Sequence, residues 1–202
     1  IAADNAEIHG MQVPVLSQET QEKIKPFLLQ GMPASNAIDY GGKAEENPHM
    51  ITECVKVCMQ TDEVDGIYIT GFFGGFKDII APHVAELEEQ TSRDLVELVQ
   101  EFKKPLFVNT SFASGAIKSL DILKNAGIPV MESSQRSSQC LSALMKFAVN
   151  RKKISRMKVP EDRTKERPAV KEVFAKVRRE KRVNLLETES RDILKNYGLS
   201  LP

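Results

Sequence analysis

The segment Thr70-Gly71-Phe72-Phe73-Gly74-Gly75-Phe76-Lys77-Asp78 sets two adjacent glycines between an apolar run and a long amphipathic run. That order reads as a strand turning into the N-terminus of a helix. Such a junction aims unpaired backbone N–H groups, and the positive end of a helix dipole, at whatever sits above the turn. The chemistry suits an oxyanion, phosphate or carboxylate, seated at the Gly74–Lys77 turn. Paired glycines after a strand also serve a turn that only reverses the chain. Upstream, Asn36-Ala37-Ile38-Asp39-Tyr40-Gly41-Gly42-Lys43-Ala44 forms a second Gly-Gly loop, and two such loops are able to converge on one anion.

The elements that would position these loops alternate between strand and helix patterns. Ile1 to Gly10 reads as the second half of a helix stopped by glycine, with the start of that helix expected upstream. Gln12–Leu16 predicts a short strand, and Ser17 caps a helical stretch to about Leu28. Asn47 is the predicted N-cap of a helix with Pro48 in its first turn, carrying Ile51, Cys54, Val55, Cys58 and Met59 at helical spacing. Asp65–Thr70 is a strand. After the Gly74-Gly75 turn a helical run extends toward Lys103, with Pro82 either near its first turn or marking a break. Pro105–Asn109 and Ile128–Met131 are further strands, separated by a helix that Gly127 ends, and Ser133/Ser134 open a helix to about Val149. Strands alternating with helices imply a parallel sheet covered on both faces, whose ligands bind beyond the carboxyl ends of the strands.

Composition narrows the function classes. At 202 residues the chain holds one ordinary domain plus an appendage. No apolar run approaches the roughly 20 residues of a membrane span and no signal-peptide pattern is visible, so a cytoplasmic protein is expected. Cys54, Cys58 and Cys140 are odd in number and lie in helix-like stretches, which favours packed thiols over a disulfide framework or a metal site. The net charge is zero, yet residues 150–182 carry 14 Lys/Arg against 5 Asp/Glu. With no interleaved aromatics apart from Phe174, that run reads as a solvated basic linker and helix rather than a nucleic-acid surface. Two helical stretches, about Ala169–Arg182 and Glu187–Tyr197, follow a linker bearing Pro160 and Pro168. Leu199–Pro202 looks like the entry to a strand.

Taken in order, Asn36-Ala37-Ile38-Asp39-Tyr40-Gly41-Gly42, Asp62-Glu63-Val64-Asp65-Gly66, Phe73-Gly74-Gly75-Phe76 and Ala126-Gly127-Ile128-Pro129-Val130 resemble the motifs of the NDP-forming acyl-CoA synthetases. This family includes ADP-forming acetate–CoA ligases and succinyl-CoA synthetase. The resemblance implies an α/β fold, a flavodoxin-like parallel sheet with helices on both faces, over residues 1–149 with its N-terminal part missing. Residues 150–183 would be the basic linker and helix. Residues 184–202, with Leu185-Leu186-Glu187-Thr188-Glu189 and Tyr197-Gly198-Leu199, look like the start of the family's ATP-grasp module.

Family chemistry interconverts acyl-CoA, phosphate and a nucleoside diphosphate with free acid, CoA and the triphosphate, through an acyl phosphate and a phosphohistidine held between two helix N-termini. By resemblance this chain supplies one of those helices. Asn36 would face the carboxylate or acyl phosphate, and Gly74, Gly75, Phe76 and Lys77 would provide backbone donors and shape the acyl pocket. CoA, ATP/ADP and Mg2+ would serve the full enzyme, with none bound by this chain alone. The implied partners are a CoA-binding domain, a phosphohistidine-bearing domain and the rest of the ATP-grasp domain of the same oligomeric enzyme, together with a small carboxylic acid. None of His9, His49 and His83 lies in the family's phosphohistidine setting, so no catalytic residue is assigned and the isolated chain is expected to be inactive. Phe76 and Asp78 depart from the succinate-using members in bulk and in charge, which would disfavour a dicarboxylate. Two other readings fit the same residues: the homologous domain of a protein acetyltransferase, and a non-catalytic CoA- or anion-binding module.

Overall fold

The computed structural model describes residues 1–157 and 167–200, which fall into two compact units, Ile1–Arg151 and Lys152–Pro202. The first unit is α/β and flavodoxin-like. Its sheet has the order β1 (Ile67–Gly71), β2 (Leu106–Thr110), β3 (Val130–Met131), all parallel, with Ile67 opposite Leu106 and Val108 opposite Val130. Every residue of β2 is buried, as a central strand covered on both faces requires, and its Leu-Phe-Val run is continuous rather than alternating for that reason.

Helices α1 (Ala2–Ile8), α2 (Gln18–Ile24), α3 (Lys43–Glu46), α4 (His49–Gln60), α5 (Phe76–Ile79), α6 (Val84–Phe102), α7 (Lys118–Asn125) and α8 (Ser134–Arg156) surround this sheet. The main core joins Ile51, Val55 and Met59 of α4 to Val84, Leu95 and Leu98 of α6, Leu120 and Leu123 of α7, and Val108. Burying each such side chain is worth about 1.5–3 kcal/mol, which is why α6 is helical despite the many charges on its outer face. A second cluster gathers Leu16, Ile24, Leu28, Cys54 and Cys58. Gly127, at φ +81°, ends α7, with its N–H donating to the Lys124 carbonyl and that of Ile128 to Leu123.

Several elements differ from the sequence reading. Gln12–Leu16 forms no strand and pairs with none among the described residues. The run from Gly75 to Lys103 is two helices, because Pro82 removes an N–H donor and biases Ala81 away from helix, so α5 ends after one turn and α6 restarts at Val84. In α4 the first helical residue is His49; Asn47 offers its backbone carbonyl to Met50 rather than a side-chain cap. Ser133 does cap α8, its Oγ accepting from the Arg136 N–H at 3.3 Å. That helix runs on to Arg156, past the expected end at Val149, since no Pro or Gly interrupts residues 150–156.

In the second unit α9 (Pro168–Arg179) places Pro168 at its first position, and α10 (Glu187–Asn196) ends before Gly198 at φ +80°. Glu189 gathers the basic groups around the start of α10: it accepts from Arg182 at 2.7 and 3.0 Å and from the Leu186 N–H at 2.9 Å, and these bonds hold its carboxyl down to about 2. The expected linker around Pro160 and the strand entry at Leu201-Pro202 lie outside the described residues.

Glu63, just ahead of β1, ties the second cluster to the sheet. Its carboxylate accepts from the Thr20 hydroxyl at 2.5 Å, the Ser17 N–H at 2.5 Å and the Ser17 hydroxyl at 2.8 Å. These bonds, Thr20's foremost, pull its carboxyl down to about 2. A lowered folded value means the stabilisation is present above the ordinary 4.5 and is lost as pH falls through that value toward 2. Wild type is therefore expected to exceed Glu63→Gln in stability at neutral pH, with the gap closing in acid; urea unfolding across that window checks it, and a gap independent of pH counts against it.

Candidate functional site

The carboxyl ends of the three strands are fastened by one side chain. Asn109, buried at the end of β2, accepts from the Thr70 hydroxyl at 3.0 Å and donates its amide hydrogens to the Met131 and Glu132 carbonyls at 3.0 and 2.9 Å. From this fixed edge β1 passes into the Gly-Gly turn, closed by the Gly75 N–H to the Phe72 carbonyl at 2.9 Å. Phe73 is buried and packs edge-on to Phe76, ring centroids 6.0 Å apart at 88°.

The N–H donors of this turn meet a carboxylate of the protein itself. Oε1 of Glu88, a side chain only 1% exposed, accepts from the Gly74 N–H at 2.7 Å and the Phe76 N–H at 3.3 Å. Burial pushes the Glu88 carboxyl up, and the N–H groups of Gly74, Phe76 and Lys77 oppose that shift. The glycines are also demanded by packing. A Cβ on Gly74 would lie 2.7 Å from Leu120 Cγ, and one on Gly75 would lie 2.1 Å from the Phe112 ring. Lys77 and Asp78 are exposed on α5.

A cavity of about 920 Å³ opens beside β1. Its lining runs along β1 from Ile67 through Thr70 to Gly71, continues to Phe72 and Phe76, and includes Asn36, Asp39 and Tyr40. Two of the five residues singled out from sequence, Asn36 and Phe76, thus share one cavity, whereas Gly74, Gly75 and Lys77 are not in its lining. Asp78 is absent from the lining too, so the argument against a dicarboxylate rests on the bulk of Phe76. Along the same lining, burial raises the Tyr40 hydroxyl well above its ordinary value and pushes the Cys54 and Cys58 thiols up to about 12 and about 11. Those thiols stay protonated at neutral pH and are poor nucleophiles. Cys140 is exposed. Among the described residues no group of three or more His, Cys, Asp or Glu side chains is placed to hold a metal ion, and no helix is long and apolar enough to cross a membrane.

Glu88 escaped the sequence reading. Its signal was available: on α6 the buried positions Val84, Glu88, Thr91, Leu95 and Leu98 follow helical spacing, and a carboxylate in such a stripe needs buried donors.

No protein-family model matches the chain. Over 112 residues, 54% of its length, the chain is 30% identical to the 4-hydroxybutyrate–CoA ligase (ADP-forming) of Nitrosopumilus maritimus. In sequence it is similar to an NDP-forming CoA ligase. The matched part spans only 15% of that ligase. In fold it matches the crystal structure of PH0766 from Pyrococcus horikoshii OT3, with a TM-score of 0.60 at 20% identity, over 74% of this chain and 33% of that one. At that identity the likeness concerns the fold alone.

Proposed function

We propose that the chain is a segment of an NDP-forming acyl-CoA synthetase, an acid–thiol ligase interconverting acyl-CoA, ADP and phosphate with acid, CoA and ATP through an acyl phosphate and a phosphohistidine. The observation that carries this reading is the 30% identity to an ADP-forming CoA ligase over about half the chain. The cavity beside β1 supports it, because its lining extends past the carboxyl end of that strand at Phe72 and Phe76, where ligands of parallel α/β sheets bind. In this reading Asn36 orients the acid by hydrogen bonding, and Phe76 bounds the acyl chain. Gly74 and Gly75 keep the turn that points Phe76 at the cavity, and Lys77 adds positive charge for a phosphoryl group presented by a partner domain. Residues 184–202 begin the ATP-grasp domain, and the CoA-binding and phosphohistidine-bearing parts belong to the same oligomeric, cytoplasmic enzyme. Neither Mg2+ nor the nucleotide is assigned to residues of this chain.

The enzyme that carries this chain is expected to turn ATP over to ADP, beyond the one equivalent released in forming the phosphohistidine, only when both CoA and a carboxylic acid are present, with 4-hydroxybutyrate or acetate preferred to succinate. Absence of CoA-dependent ADP formation with all three acids would overturn the reading. The 202-residue chain alone is expected to show neither this turnover nor labelling from γ-labelled ATP, because none of its three histidines sits at the cavity. A stable phosphohistidine at His9, His49 or His83, found by mass analysis, would refute that division of labour.

A further inference from the structure

We propose that the outer face of α8 is a docking surface for an acidic amphipathic helix of a partner, which lies along Leu144, Phe147 and Ile154 and sets a carboxylate against Arg151. The helix is inverted relative to an ordinary surface helix. The residues it buries are Ser137, Ser138 and Ser142, and polar contacts tie its inner face down: Ser142 Oγ donates to the His9 carbonyl at 2.7 Å, the Tyr68 hydroxyl donates to the Ser134 carbonyl at 3.3 Å, and the Asn5 amide donates to Ser134 Oγ at 3.0 Å. Its large apolar side chains lie in the open, with Leu144, Phe147 and Ile154 53%, 65% and 66% exposed. A surface helix normally buries such residues and shows its serines.

The spacing of the exposed residues selects a helix as the occupant. Leu144, Phe147, Arg151 and Ile154 stand at i, i+3, i+7 and i+10, the alternating three- and four-residue steps of a heptad seam, which a second helix covers by setting its own side chains into the gaps. Ala143, Ala148 and Ser155 flank the seam, and their small side chains let a partner helix approach closely. Every residue from Ala143 to Arg156 is exposed, so the seam is open along about 15 Å of helix.

Charge sets the sign of the partner. α8 carries Arg136, Lys146, Arg151, Lys152, Lys153 and Arg156 and no Asp or Glu. Arg151 lies within the seam itself, where a guanidinium covered by a partner needs a carboxylate to offset its desolvation. A lipid surface provides no such fixed group, and a helix lying in a bilayer interface keeps its cations off the apolar stripe. A second α8 is a poor occupant, since it would bring Arg151 against another wholly basic helix. Acidic α6 of a second copy is no better, because its Val84, Leu95 and Leu98 are already committed to the core. Neither the cavity beside β1 nor the ligase chemistry takes part in this contact.

The test uses a fluorescein-labelled helical peptide of about three heptads with leucine at its seam positions and glutamate at the flanking ones, and a control of the same length with lysine in place of glutamate. Fluorescence anisotropy is expected to show saturable binding of the acidic peptide to the chain, at least about tenfold tighter than the lysine peptide and weakening as salt is raised. Arg151→Glu is expected to reverse the preference between the two peptides. Phe147→Ser is expected to weaken the acidic one at least about tenfold, and both variants should keep the thermal midpoint because both side chains are exposed. Equal affinity for the two peptides, no saturable binding, or an unreversed preference in Arg151→Glu would each overturn the proposal. So would co-sedimentation with anionic phospholipid vesicles that Phe147→Ser abolishes, which would make the face a membrane surface, or a dimer that Phe147→Ser dissociates, which would make the partner a second copy.

Discussion

Gly74→Ala is expected to destabilise the first unit by about 2–6 kcal/mol, the sum of backbone strain of roughly 1–3 and overpacking of roughly 1–3 kcal/mol. Gly74 sits at φ +94°, where a Cβ is strained whatever the space around it. The space is also taken. The new atom would stand 2.7 Å from Leu120 Cγ and 2.8 Å from both of its methyl groups, and Leu120 is fully buried among Phe73, Leu123 and Val84, with nowhere to retreat. Gly75→Ala poses a different problem. Its clash at 2.1 Å is with the outer atoms of the half-buried Phe112 ring, and its φ of −111° suits any residue. The ring is able to swing outward, so Gly75→Ala should cost less and be partly rescued by Phe112→Ala, whereas Gly74→Ala should not. Urea unfolding of the two single variants and the double variant measures this; a Gly74→Ala loss below about 1 kcal/mol would show that the turn relaxes and that packing does not fix it.

The same turn marks what a sequence conveys and what it withholds. The strand–Gly–Gly–helix order was legible because glycine is the residue that tolerates both the positive φ and the close approach of Leu120 and Phe112. So were β1, β2, β3 and α4, whose apolar spacing is set by the two faces of one sheet. The acceptor for the freed N–H groups was not legible from the turn alone, since Glu88 lies more than a dozen residues away on a separate helix, and only the tertiary fold brings it within 2.7 Å. Gln12–Leu16 shows the converse. Its pattern is that of a strand, but strand formation needs a partner edge, and the neighbouring edge of β1 stands apart across the cavity. Asn36 and Phe76 both line that cavity, a shared location that only the tertiary fold, and not motif order, discloses.

Glu88→Ala is expected to cost about 2–6 kcal/mol, because it strips the acceptor from two buried N–H groups, each worth roughly 1–3 kcal/mol when left unsatisfied. Glu88→Gln should cost far less, keeping an oxygen of nearly the same reach toward Gly74 and Phe76. The comparison of wild type with Glu88→Gln also carries a pH signature. Burial raises the carboxyl of Glu88 above its ordinary 4.5, so its proton is held more tightly in the folded chain than in the unfolded one. The stabilisation from the protonated acid is then complete below 4.5 and is lost as pH rises through the elevated folded value. Wild type should accordingly lose ground to the glutamine variant with rising pH, opposite in sense to the Glu63 effect, which fails toward acid. Chemical denaturation of wild type, Glu88→Gln and Glu88→Ala at several pH values from about 4 to about 8 separates the two contributions. A difference between wild type and Glu88→Gln that ignores pH would mean the carboxylate stays charged at no cost, its penalty fully offset by the turn's N–H groups. A Glu88→Ala variant as stable as wild type would mean that water replaces the carboxylate, leaving the Gly74–Lys77 turn open to an external oxyanion after all.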